Sequence, residues 1–538
     1  MLEIGDGLIF RATKQWFCDL ERNGLKEKAL KEIEDIATLP AKSSNRLHAA
    51  IEGRLEWCLS RQRIWGVPIP ALLCTDCDHT YITKEFVDTV ASRVKEQGIE
   101  YWDIVDVKDL IPQGFVCPHC KGSSFTKERD ILDVWFDSGI SHYAVLNKEH
   151  GLSFPADVYA EGKDQHRGWF QSSLLTALVI EKAAPTKTIV THGFTVDEQG
   201  RKMSKSLGNV VSPQQMIDQL GTDGLRMWVS SIDCSGDAII SPVLIENVKE
   251  VFRKIRNTCR FLLSNINDFD IDKDAVPFDE MGAFDQYALR NLQELNEKIV
   301  SYYNEFDFTA IFHGLGDYCS SELSSFYLDI IKDRLYVEQP DGHLRRSAQT
   351  ACWYILDTLT RLMAPILSFT AEQISDFYQK NKTQSIHLQS FAQVAVIDRQ
   401  DTQIEHQWDV LKRLRSAVLK AIEGLRQAGT VKHSLEAQVT LYFDYDISHL
   451  SLAKDFIDAL TAHNKSVDQF FKEFFIVSGV AFAASSAGLT ESEMPGVYIA
   501  VAKAEGVKCP RCWHWEVTDN EFGLCKRCQN VIKHLERT

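Results

Sequence analysis

Eight of the chain's fourteen cysteines stand in four C-x-x-C pairs: Cys74/Cys77, Cys117/Cys120, Cys509/Cys512 and Cys525/Cys528. A two-residue gap lets both sulfurs of a pair face one point, and two such pairs supply the four soft ligands of a tetrahedral zinc site. The spacing Cys509-x2-Cys512-x12-Cys525-x2-Cys528 predicts a four-thiolate zinc ribbon with no open coordination position, hence a structural metal. Lys508, Arg511, Lys526 and Arg527 flank these ligands and offset a cluster charge of about −2. The other two pairs, separated by 39 residues, predict a second zinc site in which His79 or His119 could replace a thiolate. The six scattered cysteines read as buried thiols of a reducing compartment.

A chain of 538 residues exceeds one core and implies several domains. Its formal net charge of −16, from 59 basic and 75 acidic side chains, disfavours non-specific coating of nucleic acid, which needs the opposite sign. Local basic stripes on an acidic body could still hold a structured RNA. No apolar run is long enough for a membrane helix, and the first residues lack the pattern of a signal peptide, so a cytoplasmic protein is expected.

The elements change character along the chain. Leu8-Ile9-Phe10 is strand-like. Val158-Tyr159-Ala160, a helix from Trp169 to Ala183, and Thr188-Ile189-Val190 form a strand–helix–strand unit of a parallel α/β sheet. After Pro242 the apolar residues Leu244, Val248, Val251, Ile255, Cys259 and Leu262 recur at helical spacing. Further helices are predicted over 308–336 and 345–378, the latter broken at Pro365, giving a helical bundle. A last helix around Trp408 to Leu425 precedes mixed structure and the ribbon. The expected divisions are 1–60, 61–130 around the first cysteine pairs, 131–243, 244–400, 401–500 and 501–538.

Gly200-Arg201-Lys202-Met203-Ser204-Lys205-Ser206-Leu207-Gly208-Asn209 follows the strand at Thr188–Val196. Its glycines permit backbone rearrangement, and its ammonium groups suit a polyphosphate gaining negative charge. A generic basic loop is usually an exposed turn. The string K-M-S-K-S, however, arises by chance on the order of once in several thousand chains of this length.

On that string the chain resembles the class I aminoacyl-tRNA synthetases. Trp57-Cys58-Leu59-Ser60-Arg61-Gln62-Arg63-Ile64-Trp65-Gly66 is similar to members specific for branched aliphatic amino acids. Asp133-Val134-Trp135-Phe136-Asp137-Ser138-Gly139, Glu161-Gly162-Lys163-Asp164-Gln165-His166-Arg167-Gly168-Trp169-Phe170 and Phe10-Arg11-Ala12-Thr13-Lys14-Gln15-Trp16-Phe17 resemble the isoleucine-specific members. Leu362-Met363-Ala364-Pro365-Ile366-Leu367-Ser368-Phe369-Thr370-Ala371-Glu372 resembles the family's anticodon-binding bundle.

The resemblance implies a multidomain α/β plus all-α protein: a partial Rossmann-type sheet, a helical anticodon-binding bundle and a C-terminal zinc ribbon. Residues 1–60 would be the remnant of an editing insertion with its connector, 61–130 a zinc-containing insertion, 131–243 the second half of the catalytic fold, 244–400 the bundle and 401–500 a junction. The implied reaction is ATP-dependent formation of isoleucyl adenylate, with Mg²⁺, and transfer to the 3′ end of tRNA(Ile). Lys202, Ser204, Lys205, Ser206 and His192 would serve ATP, Lys205 most critically. Glu161, Gly162, Asp164 and Gln165 would bind the adenylate, with Trp135 and Trp169 walling an aliphatic pocket. Read without the family, both tryptophans are core aromatics and His192 a strand histidine. Arg253, Arg256, Arg260, Lys412 and Arg415 would contact tRNA phosphates, though charge runs are commonly solvated faces.

The family's other signature, H-x-G-H, is missing: none of the sixteen histidines has a partner three residues away. A half sheet exposes an unpaired edge, so the chain is expected to need an N-terminal half of the same enzyme to form adenylate. A valine-type ligase, a non-catalytic tRNA-binding fragment and an unrelated zinc-ribbon RNA-binding protein are the alternatives.

Overall fold

In a computed structural model, the residues described are 12–146, 150–204, 206–380, 382–392, 402–444, 466–518 and 521–536. The strand expected at Leu8-Ile9-Phe10 lies outside them, as does Lys205. Two compact units divide the chain, one of residues 1–203 with 234–239, the other of 204–233 with 240–538.

The first unit is built on a parallel sheet. Strands β1 (Ala37–Leu39), β2 (Ala156–Gly162) and β3 (Thr186–His192) lie in the order β1-β3-β2. Tyr159 pairs with Ile189 and Gly162 with His192, so β2 and β3 end level. Helix α1 (Leu25–Asp35), α2 (Ser43–Glu52) and α4 (Trp169–Ile180) cover the sheet, with short α3 (Val134–Gly139) against α4. Every residue of α4 from Phe170 to Leu178 is buried, as expected of a helix without a polar face. It joins Leu20, Ile33, Leu47, Ile51, Trp57, Tyr159 and Ile189 in one core. The helix ends three residues before the expected Ala183, because Lys182 turns to φ 66°.

Within residues 1–60, expected to be an editing remnant with its connector, Ala37–Leu39 pairs in parallel with β3, and α1 and α2 supply four of the thirteen buried residues of this core, Ala29, Ile33, Leu47 and Ile51. Three residues are too few to display alternation, so no pattern in the chain marks this strand. Between these helices and β2, a small sheet of residues 72–74, 80–81 and 125–127 carries the first cysteine pairs.

The second unit is mostly helical: α5 (Pro213–Ser230), α6 (Pro242–Asn265), α7 (Ala283–Asn304), α8 (Phe308–Asp317), α9 (Leu328–Val337), α10 (His343–Met363), α11 (Ser368–Tyr378) and α12 (Thr402–Gln427). The helix expected over 308–336 is interrupted by a π-helix, Tyr318–Tyr327. There the hydroxyls of Ser324 and Ser325 donate to carbonyls five residues back, on Cys319 and Ser320, which suits the wider π register. The break near Pro365 stands where expected, between α10 and α11. Beyond α12, a four-stranded mixed sheet of residues 437–443, 479–482, 490–491 and 497–503 packs on α13 (Val467–Phe475). Phe470, Phe471, Phe474 and Phe475 of α13 are all buried, and Phe284 of α7 stacks on Phe470 at 4.9 Å. Helix α14 (Lys526–Leu535) closes the ribbon.

Candidate active site and metal centres

The level ends of β2 and β3 bring Glu161-Gly162 and His192-Gly193-Phe194 side by side. In open parallel sheets ligands bind beyond the carboxyl ends of strands, and Glu161 is exposed there. After β2 the chain makes a 3-10 turn, Lys163–Arg167, before α4. Buried His166 holds that turn through a 2.7 Å hydrogen bond between Nδ1 and the Lys163 carbonyl oxygen. Burial keeps its imidazole below the ordinary histidine range. His166 has a positioning role that its sequence position alone did not reveal.

The turn presents exposed Asp164 and half-buried Gln165. Gln165 Oε1 accepts from the N–H of Trp169 at 3.1 Å. A Cβ on Gly168 would lie 2.5 Å from that oxygen and 3.2 Å from the Trp135 ring, so any other residue there would push the Gln165 amide out of this position. Trp169 stacks on Tyr159 at 4.3 Å and its indole N–H donates to Ser138 O. It is a pinned, half-buried wall, whereas Trp135 is 42% exposed. Asp133 caps α3 and accepts from the Trp57 indole at 2.9 Å, with Arg61 at 3.1 Å.

The lysine loop begins as a tight hairpin. Val196 bridges Lys202, and Asp197 closes the turn by accepting from the N–H groups of Gln199 and Arg201 and from Arg201 Nε. Gly200 sits at φ 73°, a conformation costly for other residues. Lys202 Nζ lies 4.1 Å from the centroid of the Phe194 ring. In the second unit, Ser204 Oγ and Ser206 Oγ are 3.1 Å apart, and the Ser204 N–H donates to Asn209. Lys205 lies outside the described residues. Asp237 bonds Lys163 and accepts from the Phe194 N–H; standing far along the chain from both, it gave no sequence signal.

The expected tRNA cations divide. Arg253 pairs with Glu250 on the surface of α6, Arg256 lies over the Phe252 ring, and Arg260 is exposed. Arg415 does not fit the expectation. It is 8% exposed, donates to Phe474 O at 2.9 Å and lies over the Phe326 ring, so its guanidinium serves the interior. Lys412 likewise binds Glu322 at 2.9 Å between the rings of Tyr287 and Phe326. Both stand on the apolar stripe of α12, which the charge count alone concealed.

Each predicted cysteine quartet is assembled. The sulfurs of Cys509, Cys512, Cys525 and Cys528 lie within 4.8 Å of one another, as do those of Cys74, Cys77, Cys117 and Cys120. Tetrahedral zinc–thiolate bonds imply sulfur separations of about 3.8 Å, and Cys512–Cys525 and Cys74–Cys120 are 3.6 Å apart. Neither His79 nor His119 takes a thiolate's place; their rings stack on each other at 5.5 Å.

Three knuckles share one backbone design. The N–H of the leading cysteine donates to the carbonyl five residues on, in Cys74–His79, Cys117–Gly122 and Cys509–His514. Its carbonyl accepts from Asp78, Lys121 and Trp513, each at positive φ. Burial opposes ionisation of Cys509, but the N–H groups of Cys512, Cys525 and Arg511 outweigh it and bring the thiol down to about 6. Cys117 falls in the same way to about 7. Burial pushes their neighbours the other way, Cys525 up to about 11 and Cys512 further, so it is the convergence of four sulfurs on one point that suits each quartet to a divalent, thiophilic metal.

Comparison with known proteins agrees with this geometry. Residues 2–241 match the family model of class I tRNA synthetases (I, L, M and V), and residues 285–441 match the anticodon-binding domain of tRNA ligases. The chain thus carries a class I tRNA synthetase domain and an anticodon-binding domain. It is similar to isoleucine–tRNA ligases: 43% identical to that of Syntrophotalea carbinolica over 530 residues and 42% to that of Geobacter sulfurreducens over 535. Each match takes in 98% of this chain and 56% of the relative, so the chain spans little more than half their length. The solved methionyl-tRNA synthetase of Mycobacterium tuberculosis, bound by methionyl-adenylate, has the same fold. It matches at TM-score 0.50 and 18% identity, over 73% of this chain and 68% of its own. Among the described residues no helix is long and apolar enough to cross a membrane.

Proposed function

We propose that this chain carries the second half of the catalytic fold, the tRNA-binding bundle and the zinc ribbon of a cytoplasmic isoleucine–tRNA ligase. The reaction is activation of isoleucine by ATP–Mg²⁺ and transfer of the isoleucyl group to the 3′ end of tRNA(Ile). The observation that carries this reading is the level pairing of β2 and β3, which sets Gly162 beside His192 and Glu161 beside Thr191 at the carboxyl ends of the strands, with Lys202 against Phe194.

The roles follow from chemistry. A carboxylate at Glu161 accepts from the ammonium of isoleucine or the ribose of its adenylate, with Gly162, Asp164 and Gln165 lining the same turn. Trp135 and Trp169 flank the aliphatic side chain. His192 lies towards the adenine. Lys202 and Lys205, with Ser204 and Ser206, meet the triphosphate, where fixed positive charge stabilises the transition state without covalent participation. Exposed cations of α6, among them Arg253, Arg256 and Arg260, position tRNA by its phosphates while unstacked bases supply identity. Both cysteine quartets hold zinc, whose contribution is cohesion of the two small folds. Adenylation is a property of the whole enzyme, so the part of the relatives that lies beyond this chain's match is the expected partner in the reaction.

The test is isoleucine-dependent ATP–pyrophosphate exchange in a protein that joins this chain to the remaining length of its relatives. Lys205→Ala should slow exchange by about 10²–10³-fold, the scale of a lost transition-state charge contact. Undiminished exchange, or exchange driven equally by valine, would overturn the proposal.

A further inference from the structure

Helix α3 lies against α4 with no room for a side chain at Gly139. A Cβ there would stand 3.1 Å from the backbone carbon and oxygen of Ser172 and 3.2 Å from its Cβ, inside the ~3.5–4.0 Å optimum between carbon atoms. Gly139 is buried and helical, without a positive φ, so space rather than backbone conformation demands glycine. Ser172 cannot yield. It is 2% exposed within the wholly buried run Phe170–Leu178 of α4, and its hydroxyl bonds the Trp169 carbonyl. Close-packed interiors register a single added methyl group. The element that would move is α3, whose outer residues Val134 and Trp135 are 67% and 42% exposed.

Two contacts convert this backbone approach into a separation between indoles. The Trp169 indole N–H donates to Ser138 O at 2.9 Å, and the Thr176 hydroxyl lies 2.8 Å from Gly139 O. Both tie the end of α3 to α4, while Asp133, bound by Trp57 and Arg61, fixes its start. The helix that carries Trp135 is therefore held to the helix that carries Trp169 at a distance set where Gly139 meets Ser172.

We propose that Gly139 is a positioning residue that spaces α3 from α4, and that this spacing sets the width of the aliphatic pocket between Trp135 and Trp169 and so the length of side chain accepted there. A methyl at position 139 swings the end of α3 outwards about Asp133, stretches the bond from Trp169 to Ser138 and widens the pocket. The second clause rests on the reading of the two indoles as walls of the isoleucine pocket; the first does not.

Gly139→Ala tests both clauses. In the ¹H–¹⁵N spectrum of the chain, the Trp169 indole signal, assigned by its loss in Trp169→Phe, should move upfield and exchange faster with solvent as its bond to Ser138 lengthens. An unmoved signal would overturn the spacing. Ser172→Thr, which loads the same contact from the α4 side, should move that signal in the same direction, and decides the matter should Gly139→Ala not fold. In a protein that joins this chain to the remaining length of its relatives, pyrophosphate exchange should show the KM for isoleucine raised about fourfold, the worth of one methylene's apolar contact, with the KM for ATP unchanged. Relative to isoleucine, kcat/KM for 2-amino-3-methylhexanoic acid, which is isoleucine lengthened by one methylene, should rise by at least as much. A displaced indole signal with an unchanged ratio would overturn the control of pocket width. Exchange by the joined wild type that does not depend on isoleucine would instead remove the reading of the indoles as isoleucine walls, and the width assignment with it, while the spacing stands or falls by the indole signal.

Discussion

The carboxylate of Asp223 in α5 accepts from the backbone N–H of Thr370 at 2.7 Å, and from that of Phe369 at 3.2 Å. Three residues on, Arg226 donates to the carbonyls of Pro365 and Ile366. One turn of α5 therefore satisfies the free donors at the start of α11 and acceptors in the break after α10. A proline-broken junction has these groups to spare, and buried ones must find partners. Asp223→Ala should lower the unfolding free energy of the second unit by about 2 kcal/mol, on the scale of a lost cap with buried donors. Urea unfolding followed by far-UV circular dichroism would measure it. A change below 0.5 kcal/mol, within the range of about ±0.5 kcal/mol usual for featureless surface sites, would show the cap to be idle.

A second dependence lies in the bundle interior. Arg334, 4% exposed, binds Asp285 at 3.2 Å and Glu473 at 2.9 Å, and Tyr327 and Ser347 also donate to Asp285. Burial holds both carboxyls above their usual range despite the guanidinium. Arg334→Met should therefore cost about 3–5 kcal/mol by stranding two buried acids. Adding Asp285→Asn and Glu473→Gln should recover much of the loss, and thermal melts of the single and triple variants would show whether it does.

The first unit should weaken in mild acid. His142 and His166 are 1% and 3% exposed, and burial lowers the affinity of each for a proton. Below the ordinary histidine value of about 6.5 the unfolded chain takes up protons that the folded one refuses, so stability falls as pH falls. His142→Leu should flatten the slope of unfolding free energy between pH 7 and 5.5. An unaltered slope would mean that His142 titrates alike in both states.

Zinc content offers an independent check. The chain should bind two equivalents, and Cys512→Ser should release one without disturbing the other, read by a chromophoric chelator and by proteolysis of the ribbon. Ribbon docking should also weaken, because Arg511 bonds both Cys528 Sγ and the Val337 carbonyl, and Arg527 binds Asp333 of α9. Full retention of two equivalents would contradict this assignment.

How much of this was legible depends on how far apart the cooperating residues lie. The cysteine quartets, the strand–helix–strand unit and the proline-broken helix pair are local patterns, read from spacing. The turn holding Asp164 and Gln165 was visible as a string, but the grip of His166 on its carbonyl was not, since a buried histidine and an exposed one look alike in sequence. Asp237 reaches Lys163 and Phe194 through tertiary folding alone. Arg415 was misread because a cation count does not register which face of a helix carries the apolar stripe.

The knuckles bear on how these centres would fail. Across the ribbon the sulfurs of Cys512 and Cys525 stand 3.6 Å apart, each contributed by a different arm. An oxidant reaching the metal-free ribbon therefore finds neighbouring thiols that belong to opposite arms. The resulting covalent staple would tie the arms together in a shape near that of the loaded ribbon and bar the ion from returning, so damage there would be silent to any probe of overall folding.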